Sequence, residues 1–335
     1  MNTDLKTSTI ASTEVQVTQI GMGGAPLGKL DQSVAYHTLE KAYEIGIRYF
    51  DTAPLYGAGN SETFSGSFLS TVDRDEFTVS SKVGRLILSE EEAASFKFDG
   101  PRTATIQVNE KASRYKNNVV FDFSRDGILR SIEETLERLQ LDYIDIAYIH
   151  DPDDHYSQAL NESFPALADL KSQGMIKAIG AGMNEWEMLS KFAVEVDVDC
   201  FLLAGRYTLL DQSALDTLLP ICEQQNISLI LGGPYNSGIL ASDLASDTTY
   251  FYDPAPAEIV SKAKQIRDVC DQFGVPLKAA ALQFGLLHPA VASTIPGPST
   301  HMEASENVDM TTFPIDQNLW QELKSKNLIH SNCPT

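Results

Sequence analysis

Residues 46–62 read GIRYFDTAPLYGAGNSE, and this stretch decides how the rest of the chain is interpreted. Its apolar run, Ile47 to Phe50, is typical of a short buried strand, and the Pro and Gly residues that follow predict an abrupt turn. The turn holds a carboxylate, Asp51, and a phenol, Tyr56, near the end of that strand. A free phenol has a pKa of about 10, so Tyr56 exchanges a proton near neutral pH only if a nearby cation lowers that pKa. The stretch therefore raises the question of which lysine lies beside Tyr56.

The charge of the chain limits its partners. Among 335 residues, 25 are Lys or Arg and 46 are Asp or Glu, which gives a formal net charge of −21. Such a surface repels nucleic-acid phosphates and anionic lipid, so neither is an expected partner. Hydrophobic residues make up 43% of the chain, which is enough for a large core and excludes a mainly disordered protein.

The cysteines and the first residues of the chain predict a cytoplasmic location. Cys200, Cys222, Cys270 and Cys333 lie far apart without a Cys-x-x-Cys pair. Neither a disulfide framework nor a metal site is expected, and such thiols suit a reducing compartment. The first residues lack the apolar region of a signal peptide, and no apolar run approaches the length of about 18 residues that a membrane span needs.

Short apolar segments alternate with segments of helical periodicity along the chain. We predict about eight strands, near residues 17, 47, 78, 144, 176, 199, 228 and 292. Alternation favours a parallel sheet, and eight units favour a closed (β/α)8 TIM barrel. A doubly wound open sheet is the competing architecture. Its first turn should read Gly-x-Gly-x-x-Gly, whereas residues 21–26 read GMGGAP.

We predict a single domain over residues 1–335 with two irregular parts. Residues 1–14 are polar and are expected to be loosely ordered. Residues 83–122 follow the third strand and interrupt the alternation with an acidic run and a Gly-Pro pair. Because long irregular loops are uncommon and are often functional, we interpret residues 83–122 as an insertion or lid over one face of the barrel.

Four polar residues fall at or just beyond the ends of neighbouring strands, where (β/α)8 enzymes place their active sites. Asp51 ends the second strand, Tyr56 lies in the next turn, Lys82 ends the third strand and His150 ends the fourth. Taken singly, each has a simpler interpretation as a turn former, a packed ring, a solvated lysine or a structural histidine. Together they predict a proton-transfer site. In it, Lys82 lowers the pKa of Tyr56, and Asp51 holds Lys82 in place. His150 orients a substrate oxygen.

The same residues carry a family resemblance. The segment GIRYFDTAPLYG with the SE that follows, the SSK of residues 80–82 and the LDYIDIAYIH of residues 141–150 resemble the aldo-keto reductase superfamily. The likeness extends from Thr18 to Val308. It implies a barrel of the aldo-keto reductase type that binds NAD(P)(H) across its carboxyl-terminal face without a separate nucleotide-binding domain. It also implies that the four polar residues are catalytic.

Further segments narrow the resemblance to one branch. IHDPD at residues 149–153 and LLAGRYTLLDQ at residues 202–212 are similar to aldose 1-dehydrogenases, such as those for L-fucose (D-threo-aldose) and L-galactose, with pyridoxal 4-dehydrogenase as a relative. The branch implies NAD(P)-dependent oxidation of an aldose of the L-fucose, L-galactose or D-arabinose class at C1 to the lactone. Tyr56 would accept the proton while hydride passes to C4 of the nicotinamide. The alternatives are a general aldehyde reductase, a pyridoxal 4-dehydrogenase-like enzyme, and a cofactor-binding regulatory subunit without turnover.

The resemblance also implies cofactor contacts, mainly in the loops after the seventh and eighth strands, where barrels commonly bind phosphate. The implied contacts are Asn184 at the nicotinamide carboxamide, Ser237, Gly238 and Leu240 at the pyrophosphate, Gly297 and Ser299 at the adenosine ribose, and Glu306 and Asn307 at the adenine.

Two departures from the family pattern bear on the cofactor. Many relatives carry Lys or Arg at the positions of Gly297 and Glu303, which hold the 2′-phosphate of NADP. Neither is basic here, and Glu303 would repel that phosphate, so NAD is the expected cofactor and NADP the alternative. Gly232 stands where an aromatic ring often stacks on the nicotinamide, and Tyr207 or Tyr235 are the candidate substitutes.

The expected substrate is a small sugar or aldehyde, which needs polar partners and a flat apolar face. The predicted polar partners are Asp151, Asp153, Asn184 and Arg206. The predicted apolar face is Phe123 or Trp186. The competing interpretation is a solvated loop for the aspartates and ordinary packing for the aromatic rings.

Overall fold

The computed structural model describes residues 5–89, 91–92, 118–244, 248–251 and 253–335. The described strands, numbered in chain order, are β1 (Thr7–Thr9), β2 (Gln16–Thr18), β3 (Met22–Gly23), β4 (Tyr49–Asp51), β5 (Thr78–Val83), β6 (Arg85–Leu88), β7 (Asn118–Phe121), β8 (Ile144–His150), β9 (Ile176–Met183), β10 (Cys200–Ala204), β11 (Ser228–Gly232), β12 (Thr249–Tyr250), β13 (Asp253–Pro254) and β14 (Val291–Ile295). The main described helices are α1 (Gln32–Glu44), α2 (Asn60–Leu69), α3 (Arg125–Leu139), α4 (Phe164–Ser172), α5 (Trp186–Glu195), α6 (Leu218–Gln225), α7 (Ala257–Gln272), α8 (Leu277–Leu286), α9 (His301–Thr312) and α10 (Gln317–Ser325).

Eight of the described strands form one parallel sheet, in the order β3-β4-β5-β8-β9-β10-β11-β14. The two edges of the sheet meet, because Ile20 forms a parallel bridge with Thr294 and the backbone nitrogen of Gly21 donates to Thr294 O at 2.9 Å. Helices connect successive strands, so the predicted (β/α)8 barrel is confirmed. The first barrel strand is β3, a few residues later than predicted, because the segment near residue 17 pairs with β1 instead.

The prediction that residues 1–14 are loosely ordered is wrong for the described residues from 5 onward. Strands β1 and β2 form an antiparallel hairpin, and Ile10, Val15 and Val17 are almost fully buried. These side chains pack inside the barrel against Tyr49. The hairpin lies at the amino-terminal end of the barrel, since Ala11 N donates to the hydroxyl of Ser228 at 2.8 Å, at the start of β11. Burial of three apolar side chains therefore orders a segment whose overall composition is polar.

Helix α3 shows how local sequence produces an element of the outer ring. Ser124 caps its first turn by accepting a hydrogen bond from Gly127 N at 3.1 Å. Ile128 and Ile132, four residues apart, are buried on one face of the helix. The helix ends at Gln140, whose φ of 56° is left-handed. None of the helices in the described ranges is both long enough and apolar enough to cross a bilayer.

The ends of the segment 83–122 form a second hairpin on the carboxyl-terminal side of the barrel. Strand β6 pairs antiparallel with β7, and Arg85 lies opposite Phe121. Ile87 of this hairpin packs against Ala58, next to the turn that carries Tyr56. Residue 90 and residues 93–117 lie outside the described residues, so the lid remains a prediction.

Candidate active site

The structure brings the four predicted catalytic residues together at the carboxyl ends of β4, β5 and β8. The amino group of Lys82 lies 2.7 Å from Asp51 Oδ2 and 2.9 Å from Asp51 Oδ1. The same nitrogen is 4.6 Å from the ring centroid of Tyr56. The ring of Tyr56 is perpendicular to that of His150, with centroids 6.0 Å apart. A phenol is thereby placed between a buried cation and an imidazole.

Lys82 and Asp51 form a buried ion pair, with both side chains only 2% exposed. Burial alone would lower the pKa of Lys82, but the attraction of Asp51 and Tyr56 outweighs burial and raises it. Lys82 also donates to Thr52 O at 2.9 Å, which fixes its direction. Lys82 therefore stays protonated and supplies a fixed positive charge beside Tyr56.

A row of hydroxyl groups inside the barrel supports the carboxylate of Asp51. Ser80 donates to Asp51 Oδ1 at 2.8 Å, and the hydroxyl of Tyr49 lies 3.0 Å from Ser80 Oγ. The hydroxyl of Tyr148 follows at 3.4 Å from that of Tyr49. A buried carboxylate is stable only when donors satisfy it, and here Lys82 and Ser80 do so from two sides.

The structure corrects one part of the electrostatic expectation for Tyr56. Burial raises the pKa of Tyr56 to about 12, and the charge of Asp51 adds to that rise. Lys82 acts in the predicted direction and lowers the pKa, but its effect is the smaller one. Tyr56 therefore keeps its proton at neutral pH in the structure without bound ligands.

His150 is neutral in this site. Burial lowers the pKa of His150 well below its usual value, and the positive charges of Arg85 and Lys82 lower it further. Nε2 of the ring lies 3.6 Å from Asp151 Oδ2. Nδ1 is buried and has no hydrogen-bond partner among the described residues. Buried polar atoms are normally paired, so this nitrogen retains unused hydrogen-bonding capacity among the described residues.

The turn that carries Tyr56 is fixed by a buried carboxylate whose role the sequence did not reveal. Glu62 is fully buried and accepts hydrogen bonds from Ser81 Oγ at 2.6 Å and Thr135 Oγ1 at 2.8 Å. Arg138 Nε donates to its other oxygen at 2.6 Å. Because Ser81 precedes Lys82, this network joins the start of α2 to the strand that carries the lysine. The signal in the sequence was the SE pair at the start of a helix.

Beside His150 lies a charged pair of which the sequence analysis identified only one member. The sequence singled out Asp151 as a sugar partner but not Arg85, whose Nη2 lies 3.1 Å from Asp151 Oδ2. Burial raises the pKa of Asp151 to about 6, against the lowering effect of Arg85. Asp151 is therefore ionised at neutral pH, and a buried guanidinium and a carboxylate stand next to the predicted catalytic residues.

The loop after β11 holds the predicted pyrophosphate contacts. Ser237 has a φ of 58° and Gly238 a φ of 94°, and a Cβ added to Gly238 would meet nothing within 4 Å. The backbone is therefore open at this point, as a phosphate cradle requires. The amides of Gly238 and Leu240, however, donate to Tyr235 O at 3.1 and 3.2 Å. Leu240 is fully buried, so its side chain belongs to the core.

The segment after β14 holds the predicted adenosine contacts. Glu303 accepts a hydrogen bond from Ser299 N at 2.7 Å, so a carboxylate lies at the start of α9. Glu306 pairs with Lys278 at 2.7 Å, and Asn307 is buried and accepts from the hydroxyl of Tyr235 at 2.7 Å. In the described structure these side chains are therefore paired with neighbouring groups, and their contacts with an adenosine remain a prediction.

Gly297 lies against the ring of Pro26 and the end of β3, since an added Cβ would be 2.8 Å from Pro26 Cδ and 3.3 Å from Gly23 O. Asn184 is exposed just beyond β9 on the same end of the barrel, and its carbonyl accepts from Arg206 Nε at 3.3 Å. Arg206 also pairs with Glu185 and Asp211, each at 3.2 Å. The guanidinium of Arg206 is thus engaged within the protein, which disfavours its predicted contact with a sugar.

The predicted aromatic partners fall into two groups. Phe123 and Tyr207 are fully buried in the core, so neither ring offers a free face to a sugar or a nicotinamide. Trp186 is half-buried and packs against the core. Tyr235, half-buried, keeps its place beside the predicted cofactor loop. Sequence periodicity did not distinguish the buried rings from the accessible ones, because all four residues follow the ends of strands.

The fold and this site together define the class as an oxidoreductase of the (β/α)8 type. The model of the Aldo/keto reductase family matches residues 19–328, so the chain belongs to that family.

Two curated relatives are similar over nearly their whole length. Pyridoxal 4-dehydrogenase of Microbacterium luteolum is 37% identical over 338 residues, covering 96% of this chain and 97% of the relative. D-threo-aldose 1-dehydrogenase of a Pseudomonas species is 37% identical over 325 residues, covering 95% of this chain and 97% of the relative. Among solved structures, the holo form of the aldo-keto reductase AKR11C1 from Bacillus halodurans superposes with a TM-score of 0.75 at 22% identity, over 99% of this chain and 100% of that chain. It supports the fold.

Proposed function

We propose that the protein oxidises a cyclic hemiacetal to a lactone, with an aldose of the L-fucose, L-galactose or D-arabinose class as substrate and NAD as hydride acceptor. The observation that carries the proposal is the placement of Tyr56 between Lys82, 4.6 Å from its ring, and the neutral His150. Two relatives at 37% identity are named as dehydrogenases of an aldose and of pyridoxal. An aldose in water is mostly a cyclic hemiacetal, and removing two hydrogens from its C1 carbon and oxygen yields a lactone.

Each side chain of the site has one task in this reaction. The hydroxyl on C1 binds between Tyr56 and His150, and the neutral imidazole orients it by a hydrogen bond. Tyr56 in its phenolate form accepts the hydroxyl proton as the C1–O bond becomes a carbonyl. Lys82 stabilises that phenolate by its charge, and Asp51 keeps Lys82 in position. In the reverse reaction Tyr56 donates the proton back.

The cofactor proposal rests on the donors and acceptors of the two loops. Aldo-keto reductases use nicotinamide cofactors, and a bound nicotinamide supplies the acceptor for the hydride from C1. The open backbone at Gly238 suits the pyrophosphate. The carboxylate of Glu303 can accept hydrogen bonds from ribose hydroxyls, as acidic residues do in many NAD sites, and it would repel a 2′-phosphate. These features favour NAD over NADP.

One alternative substrate has support in a relative. The pyridoxal 4-dehydrogenase relative is as similar to this chain as the aldose dehydrogenase, so a pyridoxal-like aromatic hemiacetal is the second candidate. Phe121 stacks on Phe123 with centroids 5.8 Å apart, beside His155, and these rings lie next to Arg85 on the substrate side. A flat aromatic substrate would pack at the edge of this cluster, since Phe121 is only half-buried.

A substrate panel tests the proposal. The protein is mixed with NAD or NADP and with L-fucose, L-galactose, D-arabinose or pyridoxal, and reduced cofactor is followed by its fluorescence. We expect turnover with at least one aldose, a lower kcat/KM for pyridoxal, and higher efficiency with NAD. Preference for pyridoxal would favour the second candidate, and preference for NADP would overturn the cofactor proposal. Tight cofactor binding without turnover of any aldehyde or sugar would contradict the enzyme proposal.

The pKa of Tyr56 predicts opposite pH dependences for the two directions. Only the phenolate accepts a proton, and the pKa is raised to about 12, so the oxidation rate should rise about tenfold per pH unit through the neutral and alkaline range. Reduction uses the protonated phenol, so its rate should stay level there and fall only near that pKa. Measurement of kcat in both directions, with circular dichroism at each pH, checks this. An oxidation rate that is constant between about pH 7 and 10 would contradict the assignment.

A further inference from the structure

Arg85 and Asp151 form a charged pair that the reaction described above does not use. Arg85 opens β6 directly after Gly84, and Asp151 directly follows His150 at the end of β8. Arg85 Nη2 lies 3.1 Å from Asp151 Oδ2, and that oxygen lies 3.6 Å from Nε2 of His150. The side chains are 9% and 26% exposed. A donor and an acceptor of full charge therefore stand directly beside the imidazole of His150.

Among the described residues, the burial of Arg85 is only partly compensated. A guanidinium has five N–H donors and is costly to bury without partners. Its described contacts are the carboxylate of Asp151 and the ring of Phe121, whose centroid is 4.5 Å away. Nε is buried and has no hydrogen-bond partner among the described residues. Among the described residues, Arg85 therefore keeps a buried donor without a partner, on a side chain that is linked to His150 through Asp151 Oδ2.

The backbone at Asp151 carries a second sign of function. Its φ is 43°, in the left-handed region, which Asp adopts more often than most residues with a side chain. Its amide donates to Gly182 O at 3.0 Å, which holds this conformation. Backbone strain of this kind costs about 1–3 kcal/mol and clusters at sites of binding and catalysis. In this backbone conformation the carboxylate of Asp151 lies across the end of β8 and faces Arg85.

A purely structural role explains part of this arrangement. Arg85 lies opposite Phe121 in the β6–β7 hairpin, and its contact with Asp151 could serve to fix the hairpin to the barrel. That role needs neither a spare buried donor on Arg85 nor a carboxylate within 3.6 Å of His150 Nε2. A solvated pair farther from the site would fix the hairpin at lower cost, since exposed pairs pay little desolvation.

We propose that Arg85 and Asp151 bind the hydroxyl group on the carbon next to the reacting carbon, so that the enzyme selects 2-hydroxy aldehydes and their cyclic hemiacetals. The proposal rests on the proposed function only for the position of the reacting oxygen between Tyr56 and His150. A hydroxyl on the adjacent carbon lies close to that oxygen, and the carboxylate of Asp151 is 3.6 Å from His150 Nε2, so this pair is within reach of it. It can donate to Asp151 and accept from Arg85 together, so both charges keep their pairing. A carboxylate or phosphate would instead compete with Asp151 for Arg85.

Matched substrates test this without altering the protein. L-Galactose is compared with 2-deoxy-L-galactose, and D-arabinose with 2-deoxy-D-ribose, which lacks only the 2-hydroxyl. In reduction, lactaldehyde is compared with propanal. A site built to hydrogen-bond a hydroxyl rejects the analogue that lacks it strongly, so we expect kcat/KM to fall by about 10²–10⁴-fold. Equal efficiencies within each pair would overturn the proposal.

Variants separate recognition from the intrinsic reactivity of the substrates. The selectivity is the kcat/KM of a 2-hydroxy substrate divided by that of its deoxy analogue. In the Asp151→Asn and Arg85→Met variants this ratio should fall by about tenfold or more. The loss should fall on the 2-hydroxy substrates, while propanal reduction changes far less. Arg125→Met is the matched control, because it removes an exposed pair with Asp169 on the outside of the barrel. Its ratio should equal that of the wild type.

The outcomes distinguish this proposal from the proposed function. If no sugar is oxidised but aldehydes are reduced, the proposed function fails while the ratio of lactaldehyde to propanal still tests the role of Arg85 and Asp151. Asp151→Asn keeps the shape of the side chain, so it covers the case in which Arg85→Met does not fold. Unchanged ratios in a folded Asp151→Asn variant would show that the pair is structural and would overturn the proposal.

Discussion

Tyr56→Phe is expected to lose about 10³-fold in kcat in both directions, within the 10²–10⁴-fold range that positioned proton transfer contributes. The substitution removes one oxygen and keeps the ring, so the perpendicular contact with His150 at 6.0 Å is preserved. What it removes is the proton acceptor for oxidation and the proton donor for reduction. Steady-state kinetics with the best substrate of the panel measures the loss.

Two controls make this result specific. Cofactor affinity, followed by quenching of protein fluorescence, and the thermal midpoint should both change little, because the predicted cofactor contacts lie on other loops. Tyr36→Phe is a matched variant, since Tyr36 is half-buried on α1 and its ring contacts Phe68 of α2, with centroids 5.6 Å apart. It should keep full activity. If Tyr56→Phe retained near-normal turnover, the proton-transfer role of Tyr56 would be wrong.

Lys82→Met is expected to have the largest effect on stability. It leaves the carboxylate of Asp51, only 2% exposed, without its cation. Breaking a buried pair in this way costs about 3–5 kcal/mol in the free energy of unfolding. Burial then raises the pKa of Asp51 further, so protonation removes the unpaired charge as pH falls. The deficit should therefore shrink toward acid pH, which urea denaturation at several pH values can follow. Turnover should also fall steeply, because the phenolate of Tyr56 loses the charge that stabilises it.

The double variant Lys82→Met with Asp51→Asn separates the two effects. Without a charge on residue 51 there is no unpaired carboxylate, so the free energy of unfolding should recover most of its loss while turnover stays low. Arg125→Met gives the reference for an exposed pair and should cost less than about 1 kcal/mol. A Lys82→Met protein no less stable than Arg125→Met would show that Asp51 finds other compensation.

Sequence reasoning predicted the parts of the site that follow directly from barrel topology. Asp51, Lys82 and His150 occupy strand ends, and parallel strands in a closed barrel bring those ends to one face. Once the alternation of strands and helices was recognised, their proximity followed. Tyr56 was placed by the turn chemistry of Pro54 and the glycines. For these four residues, short-range sequence patterns and the rule that barrel strands end on one face were enough to predict the site.

The parts that were missed depend on contacts between distant residues or on loop geometry. Arg85 and Asp151 are 66 positions apart, and nothing in either neighbourhood indicates that they meet. The N-terminal hairpin is ordered by apolar side chains that enter the barrel, which a polar average composition conceals. The cofactor contact of Leu240 remains a prediction, because whether its amide faces a ligand or Tyr235 O depends on the left-handed residues before it, which sequence patterns do not reveal.

The closure of the barrel has a consequence for protein synthesis. Ser293 donates its hydroxyl to Thr18 O at 2.8 Å across 275 positions of the chain. At about 5–20 residues per second, a ribosome needs roughly 15–55 s to make the segment between them. Throughout that interval the edge of β3 is unpaired and the apolar side chains of the hairpin are not yet covered by β14. Unpaired strand edges of this kind favour aggregation. The yield of folded protein in a cell should therefore depend on how well this edge is shielded. A circular permutant that places the hairpin directly after β14 would shorten the time between synthesis of the hairpin and synthesis of β14.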